Sequence, residues 1–177
     1  MKTSFVLTDH GQPLTLTLEG CTQYHGRDSI GGMTLGFAMI EFAVSRLSAI
    51  MGGPLPREEI RFEAAFPGPG VQDAVEFTTR AVSRGNWVIV NPETVPDAPE
   101  GVYGRLWFAF ATPAHRVVMQ IKPGVLREDF IKTGRQYKSG DRTPELLAHW
   151  TELKEELAKA VEESDIETLM DWSIEII

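Results

Sequence analysis

The sequence predicts an α+β fold: a central buried helix packed on a mostly antiparallel sheet, with a C-terminal amphipathic helix. Three observations predict it. Leu14, Leu16 and Leu18 alternate strictly with Thr15 and Thr17, the period of two of a half-buried strand. Met33 to Met51 is apolar nearly all round, through Met33, Leu35, Phe37, Met39, Ile40, Phe42, Val44, Leu47 and Ile50. A helix of that kind is buried on most faces. The other segments mix strands, helices and hairpins without regular βα alternation, which argues against a parallel α/β sheet.

Taken in order, Phe5-Val6-Leu7 and Leu14 to Leu18 flank a turn at Asp9 to Pro13 and read as a hairpin. Gly20 to Gly32 reads as a polar, glycine-rich loop. The Met33 helix carries a thin small or polar stripe of Thr34, Ala38, Glu41, Ser45 and Ser48 and stops at Gly52-Gly53-Pro54. Ile60 to Ala64 suits a strand. Pro67-Gly68-Pro69-Gly70 breaks the chain before a helix over Val71 to Val82. Asp73 falls in its first turn, where the helix dipole favours an acid. Trp87 to Val90 reads as a buried strand. Val102 to Ala111 and His115 to Lys122 read as an antiparallel hairpin, and Val125 to Thr133 as a short helix. Thr143 and Pro144 are an N-cap and a first helical residue. Beyond them, Leu146, Trp150, Leu153, Leu157 and Val161 make an apolar stripe at steps of three and four. Residues 1–142 are expected to form the α+β domain and 143–177 an acidic helical extension.

The chain has 177 residues, with 17 basic and 25 acidic side chains and a net charge of −8. Pro144 to Ile177 holds ten of the acids and two of the bases, so residues 1–143 are balanced. Nucleic-acid binding is not expected, because it needs a net basic face. The basic residues concentrate only at Lys132, Arg135, Lys138 and Arg142. No apolar run reaches the roughly 20 residues that span a bilayer, and no secretory leader is expected, because the apolar run at Phe5 to Leu7 is too short. A cytoplasmic protein without membrane contact is expected. The single cysteine, Cys21, excludes an internal disulfide.

The segment with the most chemistry is Tyr24 to Phe37. His25, Arg27, Asp28 and Ser29 bring an imidazole, a cation, a carboxylate and a hydroxyl within five residues. Gly31 and Gly32 precede the long helix, whose free N–H groups can receive an anion. The candidate ligand site is therefore His25, Gly26, Arg27, Asp28, Ser29, Gly31 and Gly32. His25 is the candidate acid or base with Asp28 orienting it, and His25 with Cys21 the candidate metal pair. Equally open is a plain structural role, in which Asp28 or Ser29 caps the helix and Gly36 serves packing. Asp73 with Glu76, and the surroundings of Asp73, Asn86 and Trp107, are secondary candidates.

This stretch resembles the signature of the FmdE family of formylmethanofuran dehydrogenase subunits, roughly aromatic-His-Gly-His-x-Cys-Pro-Gly-x-x-x-Gly-aromatic. Tyr24-His25-Gly26 matches its start and Gly32 to Phe37 its end, with one extra residue between. Asp73-Ala74-Val75-Glu76 and Gly85-Asn86-Trp87-Val88-Ile89 resemble the family's next two motifs. The hairpin of Trp107 to Phe110 and Arg116 to Met119, followed by Lys122-Pro123, resembles a third. The resemblance spans residues 20–137. Ser29 or Ile30 stands where the family has its loop cysteine, and Arg27 where it has a second histidine. The flanking cysteines are absent, and with them the thiolate ligands of a soft-metal site.

The resemblance implies a small-ligand or metal-binding accessory protein, linked to anaerobic one-carbon or molybdenum and tungsten enzyme metabolism, and a homodimer. The C-terminal stripe also suggests a second copy of the chain. The cofactor readings are a divalent transition metal, zinc or nickel, at His25, or a haem ligated by His25 and lined by Met33 and Met39. A His25/Asp28 acid–base enzyme and a structural protein that has lost its site are the other readings.

Overall fold

The structure, a computed structural model, describes residues 1–177. It is α+β, with six helices and two mostly antiparallel sheets. Strands β1 (Ser4–Asp9) and β2 (Gln12–Thr17) form an antiparallel hairpin. Its turn is His10-Gly11, both at positive φ (47° and 77°). Two consecutive left-handed residues match the twist of a two-residue hairpin.

The expected loop from Gly20 onward is instead a helix, α1 (Leu18–His25). Thr17 caps it, its side chain accepting from the Gly20 amide at 3.0 Å. Thr17 closes an alternating strand pattern and opens a helix at once, so the strand period hides the cap. Helix α2 (Ile30–Met51) follows after four residues and begins three residues before the expected start. Gly52, at φ 77°, closes it as a left-handed cap. Its length and apolar character are those of a membrane span, but most of that surface packs inside the protein. Met33, Phe37, Met39, Ile40 and Leu47 are fully buried.

The larger sheet has the order β4-β3-β5-β6-β7. It is built from β3 (Arg61–Ala64), β4 (Trp87–Ile89), β5 (Trp107–Ala111), β6 (His115–Ile121) and β7 (Met170–Ile176). Only the β3–β4 pair is parallel. Phe62 lies opposite Phe110, and Phe110 opposite Val117; Phe108 lies opposite Met119. All are buried, and they make the face that meets the helices. Val102 to Leu106, expected in the hairpin, stays outside the strand.

Helix α3 (Pro69–Thr79) starts at its proline, so Asp73 lies in the second turn rather than the first. Helix α4 (Glu128–Lys138) runs through Gly134, beyond the expected end. Helix α5 (Pro144–Glu163) begins as expected, with Thr143 accepting from the Leu146 amide. Its stripe of Trp150, Leu153, Leu157 and Val161 is buried within the same chain. Trp150 packs on Phe130 of α4 at 4.7 Å between ring centroids. The stripe therefore needs no second copy of the chain to cover it.

The helical extension expected at residues 143–177 is corrected at its end. After the short α6 (Ile166–Leu169), the chain turns into β7 and pairs along all of β6. Met170, Trp172 and Ile174 alternate with Asp171, Ser173 and Glu175, a period of two masked by the preceding acidic helix. Trp172 meets Phe42 of α2 at 5.1 Å. Main-chain pairing thus ties the C-terminal segment to the sheet.

Three helices meet at backbone distance where α2 begins. A Cβ added to Gly70 of α3 would lie 2.5 Å from both the Met33 nitrogen and the Ser29 oxygen. One added to Gly31 would lie 2.7 Å from the Lys154 carbonyl oxygen of α5. Gly36 faces Val71 and Ala74 of α3 in the same way. Gly70→Ala is expected to destabilise the protein by about 1–3 kcal/mol or more, because the atoms in the way are backbone. Gly53→Ala, with nothing within 4 Å, should cost far less. Urea unfolding midpoints of the two variants measure the difference.

Candidate functional site

The segment that sequence analysis singled out is a knot between α1, α2, α3 and α5. His25 is the last residue of α1 and its side chain is 5% exposed. Its Nδ1 lies 2.7 Å from Asp73 Oδ2, and its Nε2 accepts from the Ser29 amide at 3.1 Å. A backbone N–H can only donate, so the ring proton sits on Nδ1 and is given to Asp73. Asp73 is free for this because it lies one turn past the helix start. The orienting carboxylate is therefore Asp73 and not Asp28. Both ring nitrogens are spent: Nε2 closes the turn from α1 to α2, and Nδ1 ties it to α3.

The other candidate residues separate. Asp28 Oδ1 pairs with Lys154 Nζ of α5 at 3.2 Å. Arg27 turns outward to Glu155, with Nη2 2.8 Å from Oε1. Ser29 occupies the N-cap position of α2, but its side chain makes no capping bond. Gly26 ends α1 at φ 78°. Gly31 and Gly32 belong to the first turn of α2 rather than to a loop; Gly31 lets α5 approach, and Gly32 meets Gly70 of α3 at ordinary contact distance. Glu76 accepts from the Ser83 amide, and Asn86 donates to the Ile60 carbonyl. Trp107 pairs with Gln120 in the sheet.

The donor set does not fit a metal. Metal binding at His25 would have to displace the Ser29 amide from Nε2. Cys21 is fully buried, and burial, reinforced by the charge of Asp73, pushes its thiol up to about 12. A thiol held protonated is a poor ligand. No three His, Cys, Asp or Glu side chains come together in ligating geometry. A haem on His25 fares no better, since Met33 and Met39 are sealed in the core.

Beside the knot, the first turns of α2 and α3 open on a slot of about 40 Å³, lined among others by Ser29, Gly32, Gly70, Tyr103, Trp150 and Lys154. Met33 and Gln72 carry the first amides that find a helical acceptor, on Ser29 and Gly68. The amides of Ile30, Gly31, Gly32, Gly70 and Val71 precede them, and two positive helix ends converge. Lys154 adds a cation whose side chain is only 8% exposed, 5.5 Å above the Trp150 ring. Burial, with Tyr137 and Asp28 nearby, holds the Tyr103 phenol above its usual value, so it remains a donor. Lys138 lies 5.3 Å over the Tyr103 ring, and Arg142 3.8 Å over that of Tyr137. Local sequence reading missed Lys154 and Tyr103. The available signal was a lysine one turn after Trp150 on the apolar side of α5.

No known family model matches the chain, and no curated protein matches it.

His25→Ala removes two hydrogen bonds that hold three helices in register. It is expected to destabilise the protein by about 1–3 kcal/mol, the net worth of two part-buried hydrogen bonds. Asp73→Asn keeps an acceptor and should lose less. Denaturant unfolding of the two variants compares the costs.

Proposed function

We propose that the protein is an FmdE-like accessory protein that binds a small organic anion where α2 and α3 begin. The observation that carries this reading is one slot lined by the first turns of two helices and by the largely buried Lys154. Asp28, whose side chain is mostly exposed, supplies the negative charge there. A ligand carboxylate or phosphate would take its place beside Lys154. The apolar walls of Phe66, Val102 and Phe130 would hold the adjoining carbon atoms. The slot admits one end of such a ligand, and the rest would lie toward Lys138 and Arg142. The family resemblance implies binding residues in the adjoining His25 to Gly32 segment and an association with one-carbon or molybdenum and tungsten enzyme metabolism. His25 acts here as a positioning residue that fixes the start of α2.

Titration calorimetry with inorganic phosphate tests the site. Lys154→Met, which keeps the buried stem and removes the charge, should abolish binding. Asp28→Asn, which removes the internal competitor, should strengthen it. Equal phosphate affinity in the Lys154→Met and unaltered proteins would refute the reading.

The resemblance also carries a proposed homodimer. Light scattering at micromolar concentration should then return twice the chain mass of 19.7 kDa.

A further inference from the structure

A second polar site lies in the middle of α2, on its stripe of small and polar residues. Glu41 stands in an otherwise apolar stretch between Ile40 and Phe42. Its side chain is 9% exposed. The carboxylate accepts no hydrogen bond from the backbone or from any neutral side chain, and its sole partner is Lys2 Nζ at 3.2 Å. Lys2 is itself 69% exposed on the segment before β1. A buried carboxylate held for structure alone is normally surrounded by fixed donors. Glu41 has one exposed, solvated cation.

Glu41 opens on a cleft of about 530 Å³ between α2 and the turn from α5 to α6. That volume is in the range of small-molecule sites. Phe42 and Ser45 continue the α2 wall, and Glu163 and Asp165 stand on the opposite side. Arg46 is not free to pair with Glu41. It bonds Glu167 and lies over the Phe42 and Trp172 rings at 4.9 and 5.0 Å. The Met1 nitrogen donates to the carbonyls of Glu162 and Ser164, at 3.2 and 3.0 Å, which brings Lys2 over the cleft. Lys2 Nζ reaches Glu41 and lies 3.5 Å from Ser45 Oγ. Lys2, Glu41 and Ser45 also line a second, adjoining cleft of about 360 Å³, so the lysine side chain lies between the two.

We propose that this cleft binds the primary ammonium group of a small organic amine, with Lys2 as the chain's own stand-in for it. Glu41 takes the charge, Ser45 Oγ accepts one N–H, and the Phe42 ring covers the adjoining methylenes. Glu163 and Asp165 suit a second ammonium at the rim. An anion is disfavoured by the buried carboxylate, whose one cation is Lys2.

The test titrates 1,4-diaminobutane into the full chain and follows the Phe42 and Ser45 amide resonances. Lys2→Ala should bind the diamine about tenfold more tightly than the unaltered protein, because a resident competitor lowers apparent affinity by the fraction of sites it leaves open. Glu41→Gln in the Lys2→Ala background should abolish the shifts while the protein stays folded. Tetramethylammonium, which has no N–H to donate, should leave both resonances unmoved. Equal diamine affinity with and without Lys2 would overturn the proposal. So would shifts produced by magnesium chloride but not by the diamine, which would make this a metal site. The Lys2→Ala titration needs no change at Glu41, so it decides the matter even if the buried substitution unfolds the chain.

Discussion

The fold depends on the close approach of three helices at the start of α2. Gly31 and Gly36 of α2 and Gly70 of α3 remove the side chains that would hold these backbones apart. Their contact sets where α3 enters, and so where Asp73 meets His25. It also sets where α5 lies, and so where Lys154 meets Asp28. Close packing of this kind tolerates no added volume, because the facing atoms are main chain and cannot swing away. The same small residues that suggest a ligand cradle in the sequence are used first to bring helices together.

That contact gives the two proposed sites a common frame. Both lie along α2, one at its first turn and one near its middle, and in both a charge of the chain itself occupies the position assigned to a ligand. At the first turn an exposed aspartate meets a buried lysine; farther along, an exposed lysine meets a buried glutamate. In each pair the buried member bears the desolvation, and the exposed one can exchange with solvent at little cost. The chemistry differs accordingly. Helix amides and Lys154 favour an anion, whereas Glu41, Glu163 and Asp165 favour a cation.

His25 shows how a catalytic-looking histidine becomes structural. A His–Asp contact of 2.7 Å is the arrangement that orients a general base. A base also needs its second nitrogen directed at a substrate. Here that nitrogen accepts from the Ser29 amide, and the ring acts as a strut between three helices.

Local pattern by itself determined much of this protein. The alternation of Leu14 and Leu16, the apolar girth of Met33 to Met51 and the Thr143-Pro144 start of α5 are read within a turn or two of the chain. They gave the α+β class, the central helix and the amphipathic α5. Local pattern failed where one residue serves two elements, as Thr17 does at the end of β2 and the cap of α1. It failed again at β7, whose edge pairing with β6 depends on residues far away in sequence. Sequence also located the segment around His25 but not the partners of its side chains. Asp73, Glu155 and Lys154 lie 48, 128 and 126 residues from theirs. Hydrogen bonds and ion pairs act over a few ångströms whatever the separation along the chain, so only the tertiary structure decided which of these groups meet.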